Sequence, residues 1–166
     1  STLQCKDYAA PLHPHFDDIQ ENLVPLPSYM GFEFKRQNTP KVKSATDRVT
    51  VINTSRAVVN YRGAASSEPN VILTTGENLM LSKADGSLFG IRSFQVATIY
   101  LEEMTILVES FQKGSPRNHK VVVLVSGRLH LVEMNWNNVD RLIIGCRKHG
   151  SATCSHLTFD DFVLCE

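Results

Sequence analysis

The sequence predicts an all-β chain, an antiparallel β-sandwich of jelly-roll type, and three observations lead there. Short runs rich in Val, Ile, Thr, Phe and Leu recur about every 10–20 residues. Turn-forming clusters separate them, and no segment between two runs repeats apolar residues every three to four positions, as the crossover helix of a parallel sheet would. The chain of 166 residues is long enough for one self-sufficient core, and 42% hydrophobic against 20% charged residues is a globular composition. Residues 1–166 are therefore read as a single sandwich domain.

In chain order, residues 1–15 and 21–47 are poor in apolar runs. They carry Pro11, Pro14, Pro25, Pro27 and Pro40, each lacking a ladder donor, so both read as connections over the surface, with 1–15 an extended arm. Strands are expected at 49–51, 57–61, 71–74, 89–100, 104–111, 121–125, 128–134, 141–146 and 158–164. Turns fall at Arg62-Gly63-Ala64, 66–70, 83–87, 113–117 and Ser126-Gly127. Residues 121–125 and 128–134, joined at Ser126-Gly127, form the clearest hairpin signal. Residues 78–84 and 94–104 have room for a short helical turn.

Lys plus Arg number 17 and Asp plus Glu number 17, and no basic stripe recurs that would neutralise a phosphate backbone, which argues against nucleic acid. No stretch approaches the roughly 18 apolar residues of a membrane-spanning helix. The first residues, Ser1-Thr2-Leu3-Gln4, read as a mature end from which something was removed, and with the cysteines this points to a secreted, extracellular protein. Cys5, Cys146, Cys154 and Cys165 are even in number and form no C-x-x-C pair. Cys146 with Cys154 suits a hairpin around Lys148-His149-Gly150-Ser151, which leaves Cys5 with Cys165 to tie the ends together and fasten the arm. Asn53-Thr54-Ser55 is a glycosylation sequon.

A short acidic motif occurs twice, as Phe16-Asp17-Asp18-Ile19 and Phe159-Asp160-Asp161-Phe162. With both as neighbouring antiparallel strands, residues 16–19 against 158–164, period-2 alternation puts Asp17 with Ile19, and Asp160 with Phe162 and Leu164, on the core side. A carboxylate there needs a partner or a cation, and carboxylates with backbone carbonyls are what calcium takes. A structural calcium on Asp17 and Asp160, helped by Asp18 or Asp161, is the expectation; exposed turn acids are the plain alternative.

Read together, the early Phe-Asp-Asp, Pro27-Ser28-Tyr29-Met30-Gly31-Phe32, Pro69-Asn70, Phe89-Gly90-Ile91-Arg92-Ser93-Phe94, Asn135-Trp136-Asn137-Asn138-Val139-Asp140 and the closing Phe-Asp-Asp-Phe resemble a group of secreted, mostly fungal proteins with a carbohydrate-binding-module-like jelly roll. The resemblance spans about residues 16–164. It implies a structural calcium between first and last strands, on Asp17, Asp18, Asp160 and Asp161.

Sugars stack on aromatic faces, so Tyr29, Tyr61, Tyr100 and Trp136 are the candidate saccharide platform. Trp136 follows Val132 and Met134 at even spacing, which also suits a core position. His13-Pro14-His15 lacks the further ligands of a transition-metal site. No G-x-S-x-G, H-E-x-x-H or P-loop occurs, so no catalytic residues are assigned. The functional expectation is a secreted, non-catalytic binding module for a cell-wall or cell-surface carbohydrate. The alternative is a secreted effector or adhesin-like protein that binds a host or partner protein through the same scaffold.

Overall fold

Seven of the eight phenylalanines, at positions 16, 32, 34, 89, 94, 159 and 162, are buried, and the strands that carry the last six face each other across one core. The computed structural model describes residues 5, 11–14, 16–17, 24–25, 29–37, 50–53, 70–75, 78–98, 103–125, 128–146 and 156–166. Among them the strands are β1 (Val24–Pro25), β2 (Phe32–Gln37), β3 (Thr50–Asn53), β4 (Asn70–Thr75), β5 (Asn78–Lys83), β6 (Phe89–Thr98), β7 (Glu103–Gln112), β8 (Ser115–Val125), β9 (His130–Val139), β10 (Arg141–Cys146) and β11 (His156–Cys165). They form a six-stranded sheet ordered β1-β3-β4-β11-β6-β9 and a five-stranded sheet ordered β2-β5-β10-β7-β8, with every pairing antiparallel. This is the jelly-roll sandwich that the β-rich periodicity predicts, and no α-helix occurs among the described residues.

Alternation explains the core. In the five-stranded sheet Phe32, Phe34, Leu79, Leu81, Ile106, Val108, Leu124, Leu142 and Ile144 face inward, each separated by one residue from the next on its strand or paired across from such a residue. The six-stranded sheet answers with Ile72, Ile91, Phe94, Val96, Val132, Phe159, Phe162 and Leu164. Phe162 is the hub. Its ring lies 5.5 Å from those of Phe34 and Phe94, and 6.3 Å from those of Phe16 and Phe159.

Three sequence expectations are corrected. Residues 121–125 and 128–134 do not form a hairpin, because β8 pairs with β7 in one sheet and β9 with β6 in the other. Both segments aim apolar residues at the same core from opposite sides. The tight hairpin is β7–β8, turned at Lys113-Gly114 with φ of 52° and 78°, the left-handed pair that a two-residue turn needs. Strands β2 and β5 occupy ground read as a surface connection and as room for a helical turn, since Phe32, Phe34, Leu79 and Leu81 are all fully buried. The expected strand 57–61 lies outside the described residues.

The third correction concerns the chain ends. The segment that runs along β11 is residues 12–14: Leu12 exchanges two 2.8 Å backbone hydrogen bonds with Leu164, and the Phe162 N–H donates to the Pro14 carbonyl at 3.2 Å. Phe16, at φ 67°, leaves the strand path and drops into the core, Asp17 is in a turn, and residues 18–19 lie outside the described residues. β11 thus pairs with β4 over residues 156–159 and with the N-terminal segment from Phe162 onward. At the change of partner it bulges, with Asp161 at φ 47° and a register shift between Asp160 and Val163. The bulge changes parity. Leu157 and Phe159 face the core before it, Phe162 and Leu164 after it, so Asp160 points to the opposite face, across from Gln95, and not with Phe162 and Leu164 as strict alternation predicts.

Candidate functional site

The outer face of the five-stranded sheet carries the residues that alternate with its core positions. Across β10, β7 and β8 they form three rows: Gly145, Leu107, Val121; Ile143, Glu109, His119; and Arg141, Phe111, Pro116. Near the β8 edge this face holds an open groove of about 470 Å³, lined by Leu107, Glu109, Pro116, Arg117, Asn118, His119 and Val121. Leu107, Pro116 and Val121 give it an apolar floor. Glu109 and His119 face each other directly across the strand pair, and among the described residues no side-chain hydrogen bond or ion pair engages either one.

The polar wall is partly held in place. Arg117 Nη2 donates to Gln112 Oε1 at 2.5 Å, and Asn118 donates from its backbone N and its Nδ2 to Ser110 Oγ at 3.1 and 3.0 Å. At one end the Arg141 guanidinium lies 4.8 Å above the Phe111 ring centre, which covers the one phenylalanine outside the core. A carboxylate acceptor, a guanidinium donor, an imidazole that does both and an amide, set over aliphatic carbon, can hold a molecule with one apolar face and a rim of hydroxyls. Glu109 is the single carboxylate in the lining, whereas glycoside hydrolysis by the usual route places two across the scissile bond.

The aromatic candidates from the sequence stand elsewhere. Tyr29 exchanges backbone hydrogen bonds with Phe32 and packs its ring 5.1 Å from that of Phe16. Trp136, opposite Ile91 on β9, is half-buried against the core. Neither lines the groove, and Tyr61 and Tyr100 lie outside the described residues. The groove residues were missed because an alternating strand presents them as ordinary surface. The available signal was the unbroken run 121–125, apolar on both faces, although Val121, Val123 and Val125 are 43%, 51% and 42% exposed.

Two of the acidic candidates, Asp160 and Asp161, sit at the β11 bulge. Asp160 is fully buried and its Oδ1 accepts the Asp161 N–H at 2.8 Å. Asp161 Oδ1 lies 3.1 Å from His13 Nε2 on the paired N-terminal segment, and Asp17 follows three residues beyond Pro14. Asp18 lies outside the described residues. These are hard oxygen donors of the kind calcium takes, yet no group of three or more His, Cys, Asp or Glu placed for a metal forms among the described residues. Cys5 and Cys165 are joined, with Cα atoms 5.4 Å apart. Of the expected Cys146–Cys154 pair, Cys146 ends β10 and Cys154 lies outside the described residues.

No family model matches the chain, and no curated protein matches it. Solved structures similar to it include the TmCBM61 module in complex with β-1,4-galactotriose, at 13% identity over 91% of this chain and 93% of that one, with a TM-score of 0.45. Another is the C-terminal family 22 carbohydrate-binding module of Clostridium thermocellum Xyn10B, at 10% identity over 93% and 91% with a TM-score of 0.49. A third is a xylan-binding domain of family 22, at 9% identity over 95% and 96% with a TM-score of 0.49.

Proposed function

We propose that this chain is a non-catalytic carbohydrate-binding module that receives an oligosaccharide along the outer face of its five-stranded sheet. The observation that carries the reading is the groove itself: an aliphatic floor of Leu107, Pro116 and Val121 walled by Glu109, Arg117, Asn118 and His119. A sugar ring offers C–H groups to such a floor and hydroxyls to such walls. A broad glycan array, followed by calorimetric titration of the strongest ligand, tests it. Glu109→Ala and His119→Ala should each weaken that ligand by roughly five- to tenfold, the worth of a hydrogen bond to a charged or polar group. An array with no binder, or a ligand indifferent to both substitutions, refutes the reading.

The same edge supports a second reading. Val121, Val123 and Val125 form an exposed row on β8, an edge strand, and such a row suits a host or partner protein, as in an effector or adhesin. Loss of a protein partner on Val123→Lys, with glycan binding unchanged, would favour it.

We place secretion and a structural calcium within the proposal. A cystine joining residues 160 apart suits an oxidising compartment. The calcium would draw on Asp160 and Asp17, with Asp18 or Asp161 and backbone carbonyls completing the oxygen shell, and would serve stability alone.

A further inference from the structure

The groove does not end at the β8 edge. A second cavity of about 300 Å³ adjoins it, lined by Gln112, Arg117, Asn118, Asn137 and Asn138, so Arg117 and Asn118 line both. Strands β8 and β9 are the edges of the two different sheets, and this cavity bridges them beside the Lys113-Gly114 turn. Its chemistry differs from that of the groove. The lining holds four carboxamides and one guanidinium, with no carboxylate and no apolar side chain.

Arg117 is the only ionised group in that lining. Its Nη2 bond to Gln112 Oε1 holds the guanidinium in place and leaves further N–H donors of the fork for another acceptor. Asn137 is engaged, its Oδ1 accepting the Cys5 N–H at 2.6 Å. Asn138, at φ 57° and exposed, has a side chain that no described residue engages. The nearest acid in sequence, Asp140, accepts the Lys113 N–H at 2.6 Å and is not in the lining. A fixed fork of donors, flanked by amides and with no anion in this cavity's own lining, matches a planar carboxylate better than a neutral hydroxyl pair, and Glu109 lines the adjoining groove only.

We infer that this cavity is a subsite for an acidic sugar, with a uronate carboxylate seated on Arg117 and hydroxyls on Asn118 and Asn138, while the neighbouring sugar occupies the groove. The inference rests on the carbohydrate reading above and adds a ligand class to it. Its test uses probe pairs that differ in carboxyl groups alone: trigalacturonate with its carboxyl-reduced neutral triose, and a glucuronate-bearing xylotetraose with its reduced form. In at least one pair the acidic member should bind roughly tenfold tighter at low salt. The gap should narrow at about 1 M salt and close in Arg117→Gln, while Asn138→Ala weakens the acidic member several-fold.

Arg117 is exposed, so an unchanged melting curve will show that its substitution leaves the fold intact. Equal affinity within both pairs overturns the inference and leaves the module reading standing, as does an array in which only neutral glycans bind. A preference that survives Arg117→Gln overturns the placement. Failure of every glycan, acidic or neutral, removes the module reading and this inference together.

Discussion

Removing the Cys5–Cys165 bridge, in a Cys5→Ser/Cys165→Ser double variant, should cost as much stability as the largest single core substitution. The bridge closes a loop of 160 residues, and in the chain-entropy treatment a loop that long constrains the unfolded ensemble by about 5 kcal/mol. Cys5 is also docked in the folded state: its N–H donates to Asn137 Oδ1, its carbonyl accepts Arg92 Nη2 at 2.7 Å, and it packs over Gly90, where an added Cβ would lie 3.0 Å from that of Cys5. Those contacts survive the substitution, so the loss is one of unfolded-state constraint. With an unfolding entropy of about 2.1 cal/mol/K per residue, 5 kcal/mol corresponds to a melting point lower by roughly 10–15 °C. Differential scanning calorimetry of both proteins without reductant measures it. A shift under about 3 °C would refute the reasoning, and would mean that residual structure in the unfolded chain already limits the separation of its ends without the covalent link.

Three further outcomes follow from the packing and from the proposed ion. Phe162→Ala, which empties the site where Phe16, Phe34, Phe94 and Phe159 meet, should destabilise by about 3–5 kcal/mol in chemical denaturation, and a loss under about 1 kcal/mol would show that the cluster is not the core's centre. Gly145→Val should cost about 1–3 kcal/mol, because its side chain would enter the space of the Asn78 amide; Asn78→Ala should recover part of that, and purely additive effects would count against the contact. If calcium binds at the β11 bulge, millimolar calcium against excess chelator should raise the melting point by about 5–10 °C in the native chain and not in Asp160→Asn, whereas identical melts with no metal by elemental analysis would leave the acids as structural residues.

The sandwich was legible because its evidence is periodic. Alternation on β7 and β10 names Ile106, Val108, Leu142 and Ile144 as inward-facing, and the structure agrees. The absence of helical spacing between runs fixed the class. Strands β2 and β5 were hidden by neighbouring prolines and by a short apolar set that fits either period. The β8–β9 hairpin misled because strand propensity and a Ser-Gly turn report a change of direction without saying which sheet the next strand joins. The groove was not legible at all, since Leu107, Glu109, His119 and Val121 come from two strands and acquire meaning only through the register that sets Leu107 beside Val121 and Glu109 beside His119.

The paired Phe-Asp-Asp motifs show how far a local pattern can be trusted. In both copies the phenylalanine does what its chemistry demands and is fully buried. The first aspartate departs from the alternation drawn from it, because each motif sits where the backbone leaves the regular strand: φ is 67° at Phe16 and 47° at Asp161. That geometry has a cause in the topology. β11 must exchange β4 for the N-terminal segment as its partner on one side, and an extra residue at the junction lets Phe159 and Phe162, three apart, both reach the core. The exchange leaves the Asp161 N–H between two ladders, and the buried Asp160 carboxylate accepts it. A carboxylate at this position therefore has a structural role at the junction whether or not a cation joins it. Asp160→Asn keeps an acceptor oxygen for that N–H and removes the charge, whereas Asp160→Leu removes both. An Asn variant as stable as the native chain in chelator, beside a destabilised Leu variant, would assign the aspartate's basal role to the bulge, and any further calcium-dependent stability of the native chain would belong to the ion alone.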